Sequence, residues 1–345
     1  MAIYKLGQIL NLEKGKSKYN AKYVSQNIGI YNLYSSKTKD QGIFGKINSY
    51  DFNGEYILIT THGAYAGTVK YVNEKFSTTS NCFILKVNEN IVKTKFLSYL
   101  LLLQEKTFND MAIGSAYGYL KNYNINDFEV NLPNLKTQSA IINIIEPLEK
   151  LFFNVKNLKI ILEKFVSKTY KHSKKRKVNM LKASKISFFN YRNQKLYCPT
   201  SLVGKLSLSI NKVENISFHN RPSRANLSPL NNSILFSKLV GENKILPISK
   251  EEEIVFSTGF FNIQDKNNLN DNLISFLLSE DFVEQKNKYK QGTTMEGINV
   301  KNLKMFDIKE NVFKGNNIFL LFAALIKLEN KLDFLIHKKI INLLI

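Results

Sequence analysis

Apolar residues follow two different rhythms along this chain, and the rhythm changes twice. Ile141, Ile144, Leu148, Leu151, Val155, Leu158, Leu162 and Phe165 advance in alternating steps of three and four, the spacing of a coiled-coil seam. Near the end of the chain Ile318, Leu321, Leu325, Leu328, Leu332 and Leu335 do the same. Ahead of each helical pattern lie short strand-like runs, such as Tyr56 to Ile59 and Cys82 to Val87, broken by Gly, Asn and Ser. A further helix is expected near Val92 to Glu105, where apolar residues and good helix formers crowd together. A helix with an apolar stripe has to bury it, and the other stripe of the same chain is present at high effective concentration. The two long helices are therefore expected to pair within the chain, most simply antiparallel. Pro147 lacks the amide hydrogen that the helical ladder uses, so it should start the first long helix or kink it.

The strand-rich stretches also repeat one another. Tyr56-Ile57-Leu58-Ile59-Thr60 lines up with Ser233-Ile234-Leu235-Phe236-Ser237, and Phe76-Ser77-Thr78 with Phe256-Ser257-Thr258. Phe96 to Leu101 lines up with Leu273 to Leu278, Gly114 with Gly292, and Ile125, Phe128 and Val130 with Val300, Leu303 and Met305. A repeat with an offset near half the chain is a duplicated domain, since solenoid units run to roughly 20–50 residues. The expected fold is α+β: two pseudo-repeated mixed α/β domains, residues 1–133 and 185–309, with long helices over 134–184 and 310–345 forming an intramolecular antiparallel coiled coil. Two copies of one domain can address two copies of something, or two halves of one thing.

Charge narrows the choice of partner. The 345 residues contain 49 Lys plus Arg against 28 Asp plus Glu, a net charge of +21, which points to a polyanion. Nucleic acid is the first candidate. A membrane surface is disfavoured, because no apolar run approaches the roughly 18 residues of a spanning helix and Met-Ala-Ile-Tyr-Lys-Leu lacks a signal-peptide layout. A cytoplasmic location is the expectation. Cys82 and Cys198 stand far apart, which suggests neither a disulfide framework nor a zinc site.

Catalytic signatures are missing. Gly45-Lys46 and Gly204-Lys205 lack the upstream glycine of a phosphate loop, and there is no Gly-x-Gly-x-x-Gly turn, so no cofactor is expected. His62, His172, His219 and His337 are scattered without metal-ligand spacing, and Glu251-Glu252-Glu253 reads as a solvated acidic turn. What the chain does offer is basic residues in loops rich in Gly, Ser, Thr and Tyr. Lys14, Lys16 and Lys18 flank Gly15 and Ser17, Lys37 and Lys39 sit in a Ser/Thr turn, and Thr61, His62 and Tyr65 lie in the small-residue loop Thr60 to Gly67. In the second copy the candidates are Arg221 and Arg224 around Pro222-Ser223, then Lys238, Lys244, and Thr293 and Thr294 of Gly-Thr-Thr-Met. Such loops suit DNA: cations neutralise phosphates, hydroxyls and amides position the backbone, and Arg can bridge two acceptors on a guanine edge. A further basic stretch, Lys164 to Lys185, holds eight Lys and one Arg and no acid. It is either a solvated face or a surface for phosphates or an acidic partner.

These residues resemble the specificity (S) subunit of type I restriction-modification systems, over nearly the whole chain. Tyr31 to Ser36, Gly42 to Gly45, Tyr50-Asp51-Phe52-Asn53-Gly54-Glu55-Tyr56 and Gly63-Ala64-Tyr65-Ala66-Gly67-Thr68-Val69 are similar to one class of target-recognition domain, found also in some type II methyltransferases. Arg221-Pro222-Ser223-Arg224, Ser233 to Lys238, Phe256 to Phe260 and Gly292-Thr293-Thr294-Met295 resemble another class. Leu132-Pro133 leading to Gln138-Ser139-Ala140-Ile141 is similar to the start of the family's spacer helix, while the second helix lacks a clear Pro-x-x-x-x-Gln after Ile308. The resemblance implies a chain without catalysis that reads double-stranded DNA. Its partners would be two methyltransferase (M) subunits, which carry S-adenosylmethionine, and restriction/translocase (R) subunits, which carry the nuclease. Two rival readings remain. A methyltransferase or nuclease fusion would need an Asn/Asp-Pro-Pro-aromatic loop, and the six prolines include no Pro-Pro pair. A coiled-coil adaptor for protein or RNA would have no use for two different basic loop sets.

Overall fold

The structure is a computed structural model that describes residues 2–37, 40–112, 119–187, 191–250, 253–266, 270–310, 312–313, 315 and 317–344. The chain divides into two compact units, Met1–Pro147 with His337–Ile345, and Leu148–Ile336.

The first unit contains β1 (Ala2–Lys5), α1 (Leu6–Ile9), β2 (Leu10–Lys14), α2 (Ala21–Gln26), β3 (Ile28–Tyr34), β4 (Ile43–Ile47), β5 (Phe52–Thr60), β6 (Val69–Thr78) and β7 (Cys82–Val87). These are followed by α3 (Thr94–Leu102), α4 (Glu105–Met111), α5 (Asn122–Asn126), β8 (Glu129–Leu132) and the start of α6 (Leu135–His172). Its main sheet has the order β2-β7-β5-β6-β3-β4, and β1 pairs antiparallel with β8. Ile57, Leu58 and Ile59 of β5 are all buried, as expected of a strand with a neighbour on each side and a helix over one face. That helix is α3, which packs on β5 and β6 and buries Phe96, Leu97 and Leu101.

The second unit continues with β9 (Lys177–Asn179), α7 (Met180–Ala183), β10 (Ser184–Ser187), β11 (Leu196–Cys198), β12 (Val203–Gly204), β13 (Ser207–Leu208) and β14 (Glu214–Asn215). Then come β15 (Ala225–Leu227), β16 (Ser233–Ser237), β17 (Ile245–Ile248), β18 (Ile254–Ser257), β19 (Phe260–Asp265), α8 (Asp271–Leu277), α9 (Glu280–Lys288), α10 (Val300–Leu303), β20 (Asp307–Lys309) and α11 (Ile318–Leu344). The repeat seen in the sequence is a repeat of topology. The order β10-β19-β16-β17 reproduces β2-β7-β5-β6 strand for strand, and β9 pairs antiparallel with β20 as β1 does with β8. Parallel pairing of β11 with β18 matches that of β3 with the end of β6. The long β6 of the first copy is split into β17 and β18 in the second, so the second copy has two four-stranded sheets in place of one of six.

Within the second unit α6 and α11 pack together. Val155, Leu325 and Leu332 form a buried cluster with Leu148, Phe152 and Leu162 against it. Lys159 meets Glu329, and the Phe165 ring lies 6.4 Å from that of Phe313, which precedes α11. Rising numbers on one helix thus meet falling numbers on the other, so the pair is antiparallel. The seam is rotated from the one the heptads suggest. Leu148, Phe152, Val155, Lys159, Leu162 and Val166 face inward or half inward, whereas Leu151, Leu158 and Phe165 are 44%, 49% and 57% exposed. On α11 Leu325, Glu329 and Leu332 are buried while Leu321 and Leu328 are 42% and 39% exposed. Each helix carries apolar residues on a stripe wider than one seam, and only one margin of the stripe is covered. Helix α6 begins twelve residues before Pro147 and runs through it, so Pro147 does not start the helix. It ends at His172, where Ser173-Lys174-Lys175-Arg176 brings three adjacent cations, and Lys177 already belongs to β9. Among the described residues no helix is long and apolar enough to cross a membrane.

Candidate nucleic-acid interface

In the first unit the pairings Lys14 with Phe83 and Thr60 with Cys82 bring the ends of β2 and β5 to one edge of the sheet. The loop after β5 is tightly built. Gly67 N donates to Thr60 O at 2.7 Å, Ala66 N donates to Gly63 O, and Asn109 Nδ2 donates to the carbonyls of Ala64 and Ala66 at 3.2 and 2.8 Å. Gly63 and Gly67 have φ of 86° and 90°, left-handed values that explain the glycines. At Gly67 a Cβ would also stand 2.7 Å from Asn109 N, so the close approach of α4 excludes a side chain. The rigid loop projects Tyr65, which is 60% exposed.

Thr61, by contrast, is fully buried. Its hydroxyl lies 2.7 Å from His62 Nδ1, and its backbone is bonded to Asn81 and Leu120, so it positions its neighbour. The His62 ring stands 4.6 Å from that of Tyr119, over which the Lys14 ammonium sits at 5.7 Å. Burial, followed by the nearby Lys14 charge, holds the His62 imidazole below its usual pKa. Lys16 pairs with Asp51, whose other oxygen accepts from Tyr19 OH at 2.6 Å. Burial pushes the Asp51 carboxyl up, but Lys16, Tyr19 and Ser77 together bring it below the usual range, and the Tyr19 phenol is pushed up to about 12. The Lys18 ammonium lies 4.9 Å from the Tyr19 ring. Lys37 is exposed, with its amide bonded to Ser35 Oγ. Lys39, Gly114 to Gly118, Glu251 and Glu252 lie outside the described residues.

The second unit builds the same edge with different chemistry. Lys238 holds the backbone position of Thr61: its N–H bonds Gly259 O as that of Thr61 bonds Asn81 O, and its carbonyl accepts from Ile298 N as that of Thr61 accepts from Leu120 N. The side chains part company there. Lys238 Nζ donates to Thr258 O at 2.7 Å and lies 4.8 Å from the Phe261 ring, and burial lowers its pKa. Lys244 Nζ donates to Thr200 O at 2.9 Å and pairs with Glu242. Both ammonium groups are thus engaged in holding the loop. Arg221 stacks over Tyr191 at 4.7 Å, with Phe218 at 6.0 Å, while its Nη1 donates to Ala225 O. Arg224 has an exposed side chain and a carbonyl that accepts from Thr258 N. Thr293 and Thr294 are exposed beside Met295, itself 73% exposed, in a loop closed by the paired backbones of Gln291 and Gly297.

Sequence reasoning named the basic residues but missed those that orient them. Tyr119, Asp51, Tyr191 and Phe218 supply ring faces and a carboxylate. Lys286, nearly fully buried, donates to Ser237 O at 2.8 Å and to Glu242 O at 3.2 Å, tethering the loop of Lys238 from beneath. Its position on α9, four residues from a core Phe282 and with no acid beside it in the core, carried no sequence signal.

Residues 1–164 match a family described as the type I restriction modification DNA specificity domain. A putative type I specificity subunit of Mycoplasma pneumoniae is 42% identical over 149 residues, covering 43% of this chain and 48% of its own. The N-terminus of another putative type I specificity subunit from the same organism is 34% identical over 143 residues, 41% of this chain and 75% of its own. The chain thus spans about half the length of the first of these relatives. Among solved structures, the crystal structure of a type I restriction-modification S subunit from M. genitalium aligns with a TM-score of 0.59 over 99% of this chain and 92% of that one, at 14% identity. That likeness is one of fold.

Proposed function

We propose that this chain, which belongs to the family of type I restriction-modification specificity subunits, is the DNA-reading component of a complex whose chemistry is done by other subunits. Residues 1–133 and 185–309 act as target-recognition domains, each reading one half of a bipartite, asymmetric site on double-stranded DNA. One observation carries this reading: the same strand frame is built twice and presents unlike side chains at the same backbone positions, Thr61 against Lys238 above all. Identical frames with identical loops would suit a palindrome; unlike loops suit two unlike half-sites. In the first domain the reading group is Lys14, Lys16, Lys18, Lys37, His62 and Tyr65, with Lys39 beside it in sequence. In the second it is Arg221, Arg224, Thr293 and Thr294, with Lys238 and Lys244 shaping the loop. The net charge of +21 supplies the attraction to phosphate.

Docking of methyltransferase and restriction subunits is supported by the uncovered margin of the helix pair. Leu151, Leu158 and Phe165 on α6 and Leu321 and Leu328 on α11 have the same angular offset from the buried seam. In an antiparallel pair, equal offsets fall on one face, which gives a continuous apolar strip for partner helices. A gel shift of the full chain with methyltransferase subunits, on duplex DNA against RNA of the same sequence, tests the reading. Selective retention of duplex DNA is expected; equal retention of RNA, or of neither, contradicts it.

A further inference from the structure

Beside the recognition frame, the second unit contains a cavity of about 590 Å³ between the edge strand β17 and the side of α11 turned away from α6. Its lining is mixed: the apolar side chains of Leu208, Ile210 and Phe334 keep exposed surface beside the polar Asn211, Ser249 and Asn330. Its rim is cationic, formed by Lys250, Lys327 and Lys331, all exposed. Among the described residues none of the three pairs with a carboxylate, and Lys327 and Lys331 lie one helical turn apart, where like charges repel. A packed sheet–helix interface normally leaves few voids larger than a water molecule. This volume falls instead within the roughly 300–1,000 Å³ of small-molecule sites, which are mostly apolar with a few polar groups that fix orientation.

The geometry points to a binding site for an amphipathic anion, an aliphatic body in the cavity with its carboxylate at the Lys250, Lys327 and Lys331 rim. Such a ligand lies against Leu208, Ile210 and Phe334 and relieves the repulsion between Lys327 and Lys331. The site goes beyond DNA reading and stands whether or not that reading holds.

Calorimetric titration of the full chain with octanoate and, separately, octan-1-ol tests it. Saturable one-site binding of octanoate is expected, with octan-1-ol at least about tenfold weaker because it leaves the cations unpaired. In a Lys327→Ala, Lys331→Ala variant octanoate falls to the level of octan-1-ol, and Ile326→Trp, which fills the cavity, abolishes both. The lysines are exposed, so that variant folds even if the tryptophan is not accommodated. No saturable octanoate binding to the unaltered chain, or equal affinity in the lysine variant, overturns the proposal.

Discussion

The Lys159 ammonium on α6 meets the Glu329 carboxylate on α11 where both residues are more than nine-tenths buried, and the same ammonium donates to Leu206 O at 2.6 Å. Three segments far apart in sequence are joined at one nitrogen. Lys156 approaches the other Glu329 oxygen at 4.0 Å. A buried charge pair in an otherwise apolar seam fixes register, because any slip leaves both charges unpaired.

Breaking this pair from one side should be far worse than replacing it. Glu329→Gln or Lys159→Met alone is expected to destabilise by about 3–5 kcal/mol, since each strands a buried partner, whereas the double replacement by Met recovers most of the loss. Urea unfolding followed by circular dichroism measures it. Equal losses for the single and double variants would show that the pair does not act as a unit.

The two long helices are anchored to their domains by mirrored devices. In the first copy Gln138, fully buried on α6, accepts from Lys93 N at 2.8 Å and donates to Pro133 O at 2.8 Å, reaching the start of α3. In the second, Asp271 at the start of α8 reaches the other way, accepting from Asn317 N at 3.0 Å and Phe319 N at 2.9 Å at the start of α11. Gln138→Ala should cost about 1–3 kcal/mol through unsatisfied backbone groups, and Asp271→Ala about 1–2 kcal/mol through the lost cap. Melting temperatures compared with an exposed control such as Lys136→Ala check both.

Lys286 predicts a pH signature. Burial lowers its ammonium from the ordinary lysine value to about 8, with Glu242 opposing. Between about pH 8 and the ordinary lysine value the unfolded chain therefore binds the proton that the folded chain has released, so this group's contribution to stability rises with pH across that window. Lys286→Met removes the rise. From pH 7 to 10 the urea midpoint of the unaltered protein should rise relative to that of the variant, and a constant difference would contradict the shift.

Loop variants should act on one half-site each. Tyr65→Ala is expected to relax preference in the first half-site, and Arg224→Ala in the second by about 1–3 kcal/mol if the guanidinium bridges a guanine edge. Arg221→Ala should weaken the second half-site as well, and also loosen the loop, because its stack on Tyr191 is lost. Titrations on sites altered in one half only, at several salt concentrations, separate base reading from phosphate contact.

Much of the frame was legible in the sequence because it is built from local signals that recur. The strings at Tyr56 and Ser233 became the central strands β5 and β16, and those at Phe96 and Leu273 the helices α3 and α8. Which margin of the heptad stripe is buried was not legible. Ile144, Leu151, Leu158 and Phe165 and the row Ile145, Phe152, Val166 both satisfy helical spacing, and the choice between them depends on Lys159 meeting Glu329, a contact between residues 170 apart. At the loops, sequence identified cations but not their engagement. Lys16, Lys238 and Lys244 all look free in the string, yet Asp51 holds the first and the carbonyls of Thr258 and Thr200, distant in sequence, hold the other two.

Spacing offers a mechanical check. Helix α6 is continuous over 38 residues, about 57 Å at ~1.5 Å per residue. One heptad inserted after Pro147 and another after Ile336, where the chain passes between its two units, keep the helical phase and add about 10 Å to each helix. The unspecified spacer between half-sites should lengthen by roughly one to three base pairs with both half-sites unchanged. An unchanged spacer would mean that the helices serve only to dock partners.

The central claim is that one chain reads two unlike half-sites. Sequencing of modified adenines in cells that express this chain with its methyltransferase subunits, against cells lacking it, tests that most directly. The account predicts a motif that disappears with the chain and consists of two different short half-sites around a fixed gap. A palindromic or uninterrupted motif, or modification that persists without the chain, would contradict it.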